Sequence, residues 1–127
     1  MGGLINEAQD SSIQLQCLPL YSIIKSLGNP VINLLILDFE GAEQLILETL
    51  PWEKVDIEIL TVETDLVGET LPGGSQASIR VLIESKGYKR FPHRGARNPL
   101  TGREQNDLFI REDIVQKYNV IGYSSKL

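Results

Sequence analysis

Two carboxylates, Asp38 and Glu40, follow on the unbroken apolar run Leu34-Leu35-Ile36-Leu37, with Gly41 next and Glu43 two residues beyond it. Acids so placed can orient a polar ligand or take a proton from a reacting group, work that contributes roughly 10²–10⁴-fold when the geometry is right. They can equally serve local structure. Asp38 can cap a helix that begins here, and Glu40 and Glu43 in its first turn gain roughly 0.3–1 kcal/mol from the helix dipole. Either role needs the same scaffold: a buried strand handing over to a helix, with charge at the strand's carboxyl end, where open α/β sheets place their ligands.

The surrounding pattern supplies that scaffold. Ile13-Gln14-Leu15-Gln16-Cys17 alternates with period two and reads as a short strand. Leu20, Ile23, Ile24 and Leu27 form a helical stripe, closed by Gly28 and Asn29-Pro30. Val31 to Leu37 is the central strand, apolar on both faces except at Asn33, and such a strand must be covered on both sides. Ala42, Leu45, Ile46 and Leu50 mark the next helix, which Pro51 ends. Val55 to Glu63 is a second strand, and Thr64 to Ser75 a loop. A helix follows from Gln76 to Lys86, capped by Gly87. Tyr88–Phe91 and Asp107–Arg111 are two short strands around the long connection Pro92 to Asn106, with a last helical turn or frayed end at Glu112–Tyr118. Strands alternating with helices predict right-handed crossovers and a mostly parallel sheet, finishing in an antiparallel hairpin.

Composition narrows the function classes. At 127 residues the chain is one domain or a piece of one. No apolar run reaches the roughly 20 residues that span a bilayer, and Met1 to Asp10 lacks the pattern of a signal peptide, so the chain as written reads as soluble. The single Cys17 excludes an internal disulfide, and with His93 alone there is no Cys- or His-rich metal site, so no metal is expected. The net charge of −5 argues against nucleic acid. It is unevenly spread: from Asp38 to Glu69 there are ten acids and one base, and from Lys86 to Arg103 six bases and no acids. The basic stretch (Lys89, Arg90, Arg94, Arg97, Arg103) is either a solvated loop or a place for an acidic partner or headgroup.

Six segments in order carry a family resemblance: Cys17-Leu18-Pro19-Leu20-Tyr21, Asp38-Phe39-Glu40-Gly41, Leu50-Pro51-Trp52 with Val55-Asp56-Ile57, Leu60-Thr61-Val62-Glu63, Ser85-Lys86-Gly87-Tyr88 and Asn106-Asp107-Leu108-Phe109-Ile110. Together they resemble the C-terminal half of FkbM-type S-adenosylmethionine-dependent methyltransferases, and within these the arthropod Star-like group, which shares the Cys-x-Pro-Leu-Tyr segment. The resemblance implies a partial class I methyltransferase-like, Rossmann-like α/β fold over residues 13–115, flanked by a disordered tail at 1–12 and a second tail at 116–127. It implies catalytic roles for Asp38 and Glu40, and donor-side positions for Asp38, Gly41 and Glu63. Phe39 departs from the small aliphatic residue usual between the two acids. The glycine-rich turn that holds the donor has no counterpart, since no two glycines here are separated by a single residue. The resemblance therefore implies a Star-like module, non-catalytic as this chain, in endoplasmic reticulum, Golgi and endosomal trafficking of a membrane cargo protein, located in those membranes or at the plasma membrane. The alternative is part of an enzyme methylating a small-molecule or glycan hydroxyl, with S-adenosylmethionine bound once the missing half is supplied.

Overall fold

The computed structural model describes residues 13–65, 74–92, 95 and 97–123. The order of elements is α1 (Leu20–Ser26), β1 (Val31–Ile32), β2 (Leu35–Leu37), α2 (Glu43–Thr49), a 3-10 turn at Trp52–Lys54, β3 (Asp56–Ile57), β4 (Ile59–Glu63), α3 (Gln76–Ser85), β5 (Tyr88–Phe91), β6 (Asn106–Arg111) and α4 (Glu112–Lys117). The fold is mixed α/β. Strands β1 and β3 pair in parallel, as do β2 and β4, and β6 is antiparallel to both β4 and β5, giving the order β2-β4-β6-β5.

Each long strand expected from the sequence is divided in two. The break falls at the polar pair Asn33 and Glu58, where the Asn33 amide donates to the Glu58 carboxylate at 2.9 Å and the Glu58 N–H reaches the Ile32 carbonyl at 2.8 Å. Asn33 was the one polar position in the first run, and it is where the ladder is interrupted. The expected strand at Ile13–Cys17 does not form. Ile13 and Leu15 are more than 80% exposed, and alternation makes a strand only where a sheet edge accepts it. The expected helical turn at 112–118 is a helix, α4.

Helix ends follow the sequence. Gly28 and Asn29 both take left-handed φ, and their N–H groups bond back to the Lys25 and Ile24 carbonyls, closing α1. Ser75 and Ser78 form a reciprocal capping box at the start of α3.

The core gathers Ile24 of α1, Leu47 of α2, and Ile79 and Ile83 of α3 over Leu37, Leu60, Val62 and Phe109 of the sheet. Tyr88 joins it, its hydroxyl donating to the Ile57 carbonyl at 2.6 Å, with Trp52 edge-on at 5.7 Å. Burial holds this hydroxyl proton and raises its pKa to about 12. The expectation that the first strand is covered on both sides is not met among the described residues: Val31, Leu34 and Ile36 are all more than half exposed, and β2 is an edge. No helix among the described residues is long and apolar enough to cross a membrane.

Candidate active site at the strand ends

Parallel pairing sets the geometry. Leu37 lies opposite Val62, so the next residues, Asp38 and Glu63, stand side by side at the carboxyl ends of β2 and β4. Glu43, the first residue of α2, completes the group and is fully buried. One carboxylate oxygen from each of Asp38, Glu43 and Glu63 lies within 4.8 Å of the other two.

The connection between β2 and α2 is a tight turn with left-handed backbone at Glu40 (φ 50°) and Gly41 (φ 118°). Gly41 suits this; Glu40 bears a cost of about 1 kcal/mol there. The turn closes on Glu43, whose Oε1 accepts from the Phe39 N–H at 2.6 Å and whose Oε2 accepts from the Gly41 N–H at 2.9 Å.

Crowded acids raise one another. The Glu63 carboxyl is pushed up to about 7, first by burial, then by a hydrogen bond with Asp38, then by the charges of Asp38, Glu43 and Glu40. Its Oε2 is shielded from solvent and meets no hydrogen-bond donor among the described residues. Protonation of Glu63 relieves the repulsion and lets its carboxyl donate to Asp38. Near neutrality the pair can therefore take up or release a proton, the property required of a general base.

The structure brings Asp38 and Glu63 together and buries Gly41 in the turn between them and α2. Glu40 is exposed and acts on Glu63 through its charge, its carboxylate lying outside the trio. Asp38 does not cap the helix: α2 starts from Ala42 with no side-chain cap. Sequence reading missed Glu43 as a member of the site. Its spacing behind Gly41 was visible, but zero exposure is a tertiary property. Three carboxylate oxygens are also a donor set for a hard divalent cation, which counting His and Cys does not reveal.

The basic stretch is largely engaged internally. Lys89 meets Glu112 at 3.7 Å, Arg90 meets Asp107 at 4.0 Å, Arg97 meets Glu104 at 3.8 Å and Arg103 meets Asp65 at 2.8 Å. Buried Asp65 also accepts from the Asn98 amide and the Thr101 hydroxyl, so it straps this part of the long connection to the end of β4. Arg94, His93, the 1–12 segment, positions 66–73 and the last four residues lie outside the described residues.

A mixed α/β sheet with carboxylates gathered at parallel strand ends defines a protein of the Rossmann-like class. The family model for the methyltransferase FkbM domain matches residues 4–90, and the chain belongs to that family. The match begins inside the expected N-terminal tail and ends at Arg90. No curated protein and no solved structure matches the chain.

Proposed function

We propose that this chain is the acceptor side of an S-adenosylmethionine-dependent methyltransferase domain, in which Glu63, paired with Asp38, takes the proton from a small-molecule or glycan hydroxyl as it is methylated. The observation that carries the reading is the placement of Glu63 and Asp38 on adjacent strand ends, with the Glu63 carboxyl near 7. The glycine turn that lets backbone approach a donor has no counterpart in the sequence, so the residues present fit the donor only in part. In this reading the chain forms the C-terminal half of the fold, and the open edge of β2 is where the donor-binding strands pair.

Calorimetric titration with S-adenosylmethionine tests this. The chain alone is expected to give no micromolar binding, and a version carrying an upstream apolar strand and Gly-x-Gly turn to bind. In that version Glu63→Gln lowers the methylation rate by roughly 10²–10⁴-fold. Micromolar binding by the chain alone overturns the division of labour.

The missing Gly-x-Gly favours a second reading: a Star-like, non-catalytic module serving trafficking of membrane cargo through the endoplasmic reticulum, Golgi and endosomes. Absent donor binding by the extended version supports it. An acidic partner at Lys89, Arg90, Arg94, Arg97 and Arg103 belongs to the same reading, and it would have to compete with Glu112, Asp107, Glu104 and Asp65 for the described cations.

A further inference from the structure

A glutamate in the first turn of a helix gains its dipole stabilisation while exposed, so the complete burial of Glu43 needs another reason. Burying a carboxylate is costly unless hydrogen bonds replace its hydration. Here the replacements are two backbone N–H groups, from Phe39 and Gly41, one on each oxygen. The residue between them, Glu40, is left-handed, which turns the flanking amides toward a common acceptor, as in an anion-binding nest. The strain of that backbone persists only if something holds it.

We propose that Glu43 is the positioning residue of this site: its buried carboxylate holds the 38–41 turn by its backbone and so keeps the Asp38 carboxylate against Glu63. The inference rests on reading the strand ends as the reactive part of the domain, but its test needs no methyl transfer. Glutamine offers one acceptor and a competing amide, so it cannot serve both N–H groups. Aspartate keeps the charge and loses a methylene of reach. The two substitutions therefore separate charge from position.

The test uses the isotope-labelled chain, following amide exchange at Phe39 and Gly41 and the carboxyl-carbon resonance of Asp38. In the wild type the Phe39 and Gly41 amides are expected to exchange at least about tenfold more slowly than in the unfolded chain. In Glu43→Asp and in Glu43→Gln this protection is lost, and the Asp38 carboxyl-carbon resonance shifts because that side chain is released from Glu63. Phe39 and Gly41 amides exchanging at the unfolded-chain rate overturn the proposal, and that result needs no variant to fold. A Glu43→Asp chain that keeps both the amide protection and the Asp38 resonance also overturns it, since charge alone would then suffice. Protected amides in a chain whose extended version fails to bind donor would leave this positioning role standing and remove the methyl-transfer reading.

Discussion

The Glu63 carboxyl couples the site to stability. Its folded value, about 7, lies above its ordinary 4.5, so folding favours the protonated form. The stabilisation is then fully present below about 4.5 and is lost as pH rises through 7. Urea denaturation between pH 4.5 and 8 is expected to show stability falling across this window. Glu63→Gln, which imitates the protonated acid, is expected to flatten that fall and to hold the stability of the chain at pH 8 at or above wild type. A pH profile unchanged by the substitution would mean that Glu63 titrates as an ordinary surface acid. The residues at the site were legible to different degrees. Asp38 and Glu63 could be found because a parallel pair delivers its strand ends to one place. The exclusion of Glu40 from the trio could not, because it depends on a left-handed backbone that a glutamate does not advertise.

Among elements, β6 ties the two halves of the sheet together through a buried charge. Asp107 is 1% exposed, accepts from the Thr64 hydroxyl and receives a bidentate contact from Arg80 at 2.6 and 2.9 Å, with Arg90 at 4.0 Å. Removing one partner of such a group strands the other charges in the interior. Asp107→Asn is therefore expected to cost about 3–5 kcal/mol in urea denaturation, far more than its change in size suggests. A loss below 1 kcal/mol would show that water reaches Arg80. Helix positions, glycine stops and the final hairpin were readable from periodicity and turn chemistry, because those signals are local; burial was not, since Ile23, Leu27 and Leu45 of the expected stripes are exposed while Leu47 is fully buried. The Ile13–Cys17 segment carries the alternation of a strand without forming one. Pairing is a property of two segments, and the second one is not encoded in the pattern of the first.

At the scale of the molecule, the acidic and basic stretches are joined by an ion pair. Asp65, from the acidic stretch, binds Arg103 from the basic one, and the described cations of the long connection meet carboxylates. An apolar edge is also exposed: Val31, Leu34, Ile36 and Phe39 are each more than half exposed along β1, β2 and the turn that follows. An open apolar edge of this kind invites association. Sedimentation velocity is expected to show concentration-dependent self-association of the chain. Ile36→Lys should suppress it while changing thermal stability by less than about 0.5 kcal/mol, as for other exposed positions. A wild-type chain that stays monomeric at high concentration would show that this edge is covered.

The central claim is a proton held near neutrality between two neighbouring strand ends. Carboxyl-carbon titration of Glu63 in the wild-type chain and in Asp38→Asn tests it most directly. A wild-type midpoint near 7 that drops when Asp38 loses its charge is the expected result. A wild-type midpoint at the ordinary 4.5, unmoved by the substitution, would contradict it.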